Sequence, residues 1–200
     1  MKNFKQIHFG VALSFIIVLL GIGTSSAQTP PSPVVIPAGW SVFKAPNGAF
    51  SVALPKSLTS ETQDLGAEAN HIKATYHTSD GANVFVVIAD LHDLKVRADK
   101  FDETTSKFLF EKFSNGLVKG FQDSFEKSGL KMSVTFGAPK SIVHRSLRGR
   151  EQTVSIGMFK AQTRMLLSAD HIFMLFVMPM PGQDEKHVEM VFSSFQALSK

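Results

Sequence analysis

The sequence predicts an α+β domain, a three-layer α/β/α sandwich in which a mostly antiparallel central sheet has one long helix and a C-terminal helix on opposite faces. Two segments that are apolar almost without interruption, 84–88 and 172–178, are the main observation behind this prediction. Successive side chains of a strand point to opposite faces, so both faces of these strands need cover. A phenylalanine-rich helical pattern and a closing amphipathic pattern supply that cover.

A β-hairpin is predicted at the start of the folded part. Residues 40–43 and 49–54 have strand composition, and Pro46-Asn47-Gly48 lies between them. Proline fixes its φ angle and Asn-Gly accepts positive φ angles, as a tight connection requires.

Two further strands are predicted after a polar stretch rich in Ser, Thr and Glu. Residues 70–79 alternate apolar and polar side chains, which is typical of a half-buried strand, and His71 and His77 fall on its polar, exposed face. Asp80-Gly81 then turns the chain into the apolar strand 82–91.

One long helix is predicted over about residues 99–128. Its apolar stripe recurs at three- and four-residue steps and consists of Phe110, Phe113, Leu117, Phe121 and Phe125. Asn115-Gly116 lies inside this pattern, so a bend or two consecutive helices is an alternative.

The C-terminal part is predicted to be a meander followed by a helix. Its strands are expected at 131–136, 141–144, 151–156, 159–168 and 170–178. Pro179 and Pro181 end the last strand. The closing helix has acidic residues in its first turn and an apolar stripe of Val188, Val191, Phe192, Phe195 and Leu198.

The N-terminal residues predict export. Lys2 and Lys5 precede an apolar run too short to be a typical membrane span, and small residues up to Ala27 suit a signal peptidase. We therefore expect a signal peptide at 1–27, with an uncleaved anchor as the alternative. A proline-rich linker at 28–38 and a single domain at 39–200 follow.

Composition excludes several classes of protein. The formal net charge is +4, part of which belongs to the predicted signal peptide, and no basic arm indicates a nucleic-acid partner. The chain has no cysteine, which excludes disulfides, thiolate metal sites and the acylated cysteine of a lipoprotein. The exported part also lacks the local signatures of common hydrolase, zinc-protease and nucleotide sites.

Several short motifs resemble a known family. They are Trp40, the turn and strand from Pro46 to Val52, Leu54-Pro55, and the closing segment from Phe192 to Leu198. Over about residues 39–200 the chain resembles the PsbP-like group of exported bacterial α/β/α domains, named for an extrinsic photosystem II subunit. The resemblance implies an accessory, assembly or binding role without catalysis, and it implies no site residues.

One candidate metal site follows a buried strand. Asp90 and His92 are two residues apart and share a face, and Asp93 comes next. Carboxylate and imidazole are ligands for a divalent cation. The competing interpretation is a polar strand end that enters a loop, and no third ligand is identified beyond these neighbours.

Basic residues around a predicted turn at 147–149 form a candidate anion-binding or membrane-surface site. They are Lys140, His144, Arg145, Arg148 and Arg150. Guanidinium groups bind phosphate and carboxylate, but a solvated hairpin explains the same pattern.

The sequence therefore predicts an exported, soluble, non-catalytic binding or assembly-accessory domain, periplasmic or secreted. Its partner is expected to be an unknown protein or small ligand of the cell envelope, with no cofactor, no nucleic acid and at most weak membrane-surface contact. The alternative is an extracytoplasmic hydrolase or metal-dependent enzyme whose site is assembled from residues distant in sequence. A deep pocket with convergent titratable groups would favour the enzyme.

Overall fold

The structure is a computed structural model of the chain. It describes residues 36–56, 58–67, 71–81, 84–127, 129, 131–180 and 185–198. The predicted signal peptide and most of the predicted linker lie outside these residues, so both remain predictions. In the described part of the chain, no helix is long and apolar enough to cross a membrane.

Strands dominate the described residues. In chain order they are β1 (Ser41–Lys44), β2 (Phe50–Leu54), β3 (Thr59–Asp64), β4 (Lys73–Asp80), β5 (Val84–His92), β6 (Val134–Phe136), β7 (Lys140–His144), β8 (Leu147–Ile156), β9 (Phe159–Leu167), β10 (Ile172–Pro179) and β11 (Gln196–Ala197). The helices are α1 (Glu103–Lys127), which follows a short 3-10 helix at Ala98–Lys100, and α2 (Lys186–Ser194).

The strands form two sheets. The large sheet has the order β3-β4-β5-β10-β9-β8-β6, with β7 also paired to β8, and the small sheet has the order β1-β2-β11. Each of these pairings is antiparallel. The prediction of an α+β fold with a mostly antiparallel sheet is therefore confirmed, and the apolar segment 172–178 is a central strand as expected.

The predicted hairpin forms, but it belongs to the small sheet. Ala45 N donates to Phe50 O at 2.9 Å, and Gly48 adopts φ +73° in the turn. Phe50 is fully buried in one apolar cluster with Val86 and Phe173 of the large sheet and Phe192 of α2. The small sheet and α2 therefore pack together against the large sheet.

The closing helix is shorter than predicted. It ends at Ser194, and the next residues extend to form β11 against β2. Leu198, which was expected on the helix stripe, instead donates its backbone N–H to Ala49 O at 2.8 Å. The backbone groups of β2 need partners, and this pairing satisfies them where a longer helix would not.

Alternating residues of β10 belong to different apolar clusters. Phe173 and Leu175 pack with α2 and the small sheet, whereas Met174 packs with Phe110 of α1. Phe176 joins Val118 of α1 in a third cluster. This alternation is what a strand covered on both faces requires.

α1 is one continuous helix through Asn115-Gly116. Phe110 of the predicted stripe is fully buried, and Phe113 and Leu117 are partly buried. The side chains of Phe121 and Phe125 lie outside the described part. Phe108 is on another side of the helix and is 45% exposed.

One strand was not predicted. β3 lies at the edge of the large sheet, and its six residues TSETQD are mostly exposed. Such a strand has no apolar alternation, because neither of its faces enters the core. Its polar side chains suit an edge that must not pair with other molecules.

The residues before β1 are fixed to α2 by an aromatic contact. The rings of Trp40 and His187 stack with a centroid separation of 5.6 Å and an angle of 12° between their planes. The start of the described part of the chain is thereby held close to α2.

We expect Phe50→Ala to lower the free energy of unfolding by about 3–5 kcal/mol, because it leaves a cavity among Phe43, Phe173 and Phe195. The matched control is Phe108→Ala, an exposed residue of the same type, which should change stability by about 0.5 kcal/mol or less. Chemical denaturation monitored by circular dichroism measures both variants. Equal losses would contradict the assignment of Phe50 to the core.

Candidate functional site

Three potential metal ligands converge where two neighbouring strands of the large sheet meet. Asp90 and His92 lie at the end of β5, and His171 immediately precedes β10. β5 and β10 are antiparallel neighbours in which Leu91 is opposite Ile172, so the end of one strand adjoins the start of the other. One ligand atom from each of the three residues lies within 4.8 Å of the others.

The carboxylate of Asp90 is at the centre of this group and has no exposed surface. Its Oδ1 is 2.6 Å from Nδ1 of His171, and its Oδ2 accepts a hydrogen bond from Nδ2 of Asn47 at 2.8 Å. Nδ1 of His92 is 3.9 Å from Oδ2. A buried carboxylate is costly without such partners, and here two side chains from other elements compensate it.

The two histidines connect this buried group to solvent. Their side chains are 19% and 22% exposed for His92 and His171. Nδ1 of His92 also donates to the backbone oxygen of Asp90 at 3.2 Å. Carbonyl and carboxylate oxygens accept hydrogen bonds, so Nδ1 is the donor in both contacts, and a cation bound through Nδ1 would replace that proton.

His77 lies on the same face of the large sheet as Asp90, deeper in the core. The prediction that His77 is exposed is therefore wrong. The sequence pattern placed it on an exposed face, but it is fully buried against the rings of Phe43 and Phe50. The small sheet covers this face of β4, which alternation within β4 alone could not reveal. Nδ1 of His77 is 2.7 Å from Oγ of Ser60, and its Nε2 has no hydrogen-bond partner.

Burial lowers the pKa of His77 below its usual value. The carboxylate of Asp90 opposes this effect and the neighbouring His92 adds to it. His77 is therefore a neutral imidazole at neutral pH.

The structure brings together two of the three predicted metal candidates. Asp93 has a left-handed backbone, φ 59°, and its carboxylate pairs with Nζ of Lys73 at 2.8 Å instead of joining Asp90. His171 takes the third place. Sequence reasoning missed it because it is 81 residues from Asp90, and only the pairing of β5 with β10 makes them neighbours.

The predicted basic site is distributed along the β7–β8 hairpin, and three of its members bind backbone oxygens. Nε2 of His144 donates to Phe195 O at 2.8 Å, and Arg145 donates to Ser193 O at 3.0 Å. Arg148 donates to Asp99 O and Phe101 O, at 2.8 and 2.7 Å. These contacts satisfy carbonyls at the end of α2 and before α1.

The other two members differ in exposure. Arg150 is buried and pairs with the carboxylate of Glu103 in the first turn of α1, whereas Lys140 is exposed. Anion or membrane-surface binding by this group remains a prediction.

The turn of this hairpin is at Arg145 and Ser146, which both have positive φ angles, and not at 147–149 as predicted. Gly149 lies inside β8. A side chain there would place its Cβ 2.0 Å from the backbone oxygen of Met165. Because glycine has no Cβ, it allows β8 and β9 to approach each other closely at this position.

Burial lowers the pKa of His144. The hydrogen bond to Phe195 O opposes this effect, the cations of Arg164 and Arg145 reinforce it, and Glu189 opposes it weakly. A histidine with a lowered pKa in the folded state takes up its proton more readily in the unfolded state. Its contribution to stability is present above pH 6.5 and is lost as the pH falls from there through the folded pKa.

We therefore expect the thermal unfolding midpoint of the wild-type chain to decrease when the pH is lowered from 7.5 to 5.5. In His144→Gln this decrease should be smaller. Glutamine has an amide N–H that can replace the donor to Phe195 O, but it does not titrate. Calorimetry at both pH values measures the two slopes. The exposed Val143, the neighbour of His144 in β7, is the control, because Val143→Ala removes no titrating group and should keep the wild-type slope. A wild-type slope in His144→Gln would contradict this account.

A groove of about 520 Å³ lies at another part of the large sheet. It is lined by residues of β8, β9 and α2 together with Pro179 at the end of β10. The three-ligand group is at the opposite end of β10, about 25 Å away along an extended strand. The groove and the candidate cation site are therefore separate features.

Comparisons with known proteins find structural likeness and no sequence match. No protein-family model matches the chain, and no curated protein matches it. The chain is similar to the solution structure of cyanobacterial PsbP (CyanoP) from Synechocystis sp. PCC 6803, with a TM-score of 0.49 and 8% identity over 84% of this chain and 97% of that one. This is a PsbP structure, and PsbP-like is also the group that the sequence motifs resemble.

A second similar structure is a crystal structure of a protein from Bacteroides thetaiotaomicron VPI-5482. The TM-score is 0.36 and the identity 10%, over 81% of this chain. The match spans half of that protein's length. Neither likeness transfers a ligand or an activity to this chain, because function depends on particular site residues and such low identity does not show that they are shared.

Proposed function

We propose that this chain is a non-catalytic binding domain whose ligand is a divalent transition-metal cation. The observation that supports the proposal is the convergence of Asp90, His92 and His171 at the adjoining ends of β5 and β10. In this proposal the domain is exported, as residues 1–27 predict, and serves an assembly or accessory role in the cell envelope.

The ligand chemistry favours a transition metal. Imidazole nitrogen suits zinc, copper, nickel and iron, whereas magnesium and calcium prefer oxygen ligands. Ligand atoms about 2.0–2.2 Å from a tetrahedral zinc ion are about 3.3 Å apart. The observed separations are 2.6 Å from Oδ1 of Asp90 to Nδ1 of His171 and 3.9 Å from Oδ2 of Asp90 to Nδ1 of His92, on either side of this value. Because one ligand atom from each residue lies within 4.8 Å of the other two, shifts of up to about 1.5 Å would suffice.

Solvent access also fits a binding site. His92 and His171 are partly exposed, so a cation can reach them from water, while Asp90 behind them is shielded. A carboxylate shielded from water attracts a cation more strongly than an exposed one.

A layered architecture is part of the proposal. The alternation along β10 supports a three-layer arrangement in which α1 covers one face of the large sheet and α2, with the small sheet, covers the other. The cation site would then lie at one end of the second interface.

A metal-dependent enzyme is the second candidate. Two histidines and one carboxylate leave coordination positions open for a substrate, as in the facial triad of iron oxygenases. The assembly of the site from residues far apart in the sequence supports this alternative too.

We expect the untagged full chain to bind Zn²⁺ and His171→Ala to weaken this binding by at least about tenfold, because a ligand is lost. His71→Ala is the matched control, since His71 is exposed and pairs with Asp64 away from the site. Isothermal titration calorimetry with zinc chloride measures the affinities. Absence of zinc binding to the wild-type chain, or equal affinities in the three proteins, would overturn the proposal.

A further inference from the structure

We infer that Asn47 is a positioning residue of the cation site and that a bound cation couples the β1–β2 hairpin to the large sheet. This inference rests on the proposed function. It begins from a contact between two elements that the chain separates by 43 residues, the exposed turn of the small sheet and the buried carboxylate of Asp90.

The amide of Asn47 is held at both of its ends. Its Oδ1 accepts a hydrogen bond from the backbone N–H of Ala49 at 3.1 Å, and its Nδ2 donates to Oδ2 of Asp90 at 2.8 Å. The first contact requires an acceptor and the second a donor, so the orientation of the amide group is determined. The turn therefore presents a fixed donor to the carboxylate.

That donor controls the direction of the carboxylate. The terminal torsion of an aspartate is broad, so the plane of the carboxylate needs external contacts to fix it. Asn47 engages Oδ2, while Oδ1 is next to His171. Without Asn47 the carboxylate would keep only the contact with His171 and would be held less firmly in the position that a shared cation requires. Loss of such outer contacts typically costs about 10–100-fold in metal affinity.

The same contact gives the site a conformational consequence. Asn47 belongs to the small sheet and Asp90 to the large sheet. The coupling free energy between two binding events is reciprocal. If docking of the turn strengthens cation binding, cation binding therefore strengthens docking of the turn by the same free energy. Cation occupancy is thereby communicated to the outer surface of the hairpin.

Two substitutions separate positioning from simple stabilisation. Asn47→Ala removes the donor, and we expect zinc affinity to fall about 10–100-fold. Asn47→Asp places a second carboxylate beside Asp90, so without metal the two charges repel and the thermal midpoint falls. Zinc neutralises both charges, and the zinc-induced rise in the midpoint should then exceed that of the wild-type chain.

The control is Pro46→Ala in the same turn, which should keep wild-type zinc affinity. Calorimetric titration and thermal unfolding of the full chain, each with zinc chloride alone, provide the measurements. The inference fails if the wild-type chain binds zinc and Asn47→Ala binds it equally well, or if Asn47→Asp loses stability equally with and without zinc. If the wild-type chain does not bind zinc, the proposed function fails and the inference fails with it.

Discussion

The buried carboxylate of Asp90 is the constraint on which the rest of the site depends. A negative charge without exposed surface is tolerated only when donors surround it, and two of them come from other parts of the chain. One donor requires the β1–β2 turn to dock on the large sheet, and the other requires β10 to lie beside β5 in one register. A one-residue slip of β10 would exchange the side chains that its two faces present to α1 and to α2, and would separate the pair.

The apolar clusters and this polar group reinforce one another. Phe50, Phe173 and Phe195 pack ring against ring and fix the small sheet, and His77 fills the space between that sheet and β4. His171 also stacks on Phe173 with centroids 5.4 Å apart. The ring that faces Asp90 is thus positioned by the core and not only by its hydrogen bond. Such packing is how a protein holds a ligand in a single orientation.

Local patterns in the sequence predicted the elements but not all of their partners. The apolar strands, the hairpin turn at Asn47-Gly48 and the long helix follow from residue periodicity and turn chemistry. Periodicity and turn chemistry did not predict β3 and β11. β3 is polar on both faces, and β11 consists of two residues that form a strand only by pairing with β2. Asp90 and His92 were recognisable as candidates because they are two apart. His171 was not, because its place beside them is set by strand order, which no local pattern encodes.

The contact between Trp40 and His187 gives this molecule a built-in optical reporter. The chain contains one tryptophan, and it is stacked on His187 of α2 near the start of the described residues. Its emission therefore reports on a single junction, the attachment of the N-terminal end to the C-terminal helix, without a background from other indoles. Detachment of that end can be followed separately from the loss of secondary structure that circular dichroism records.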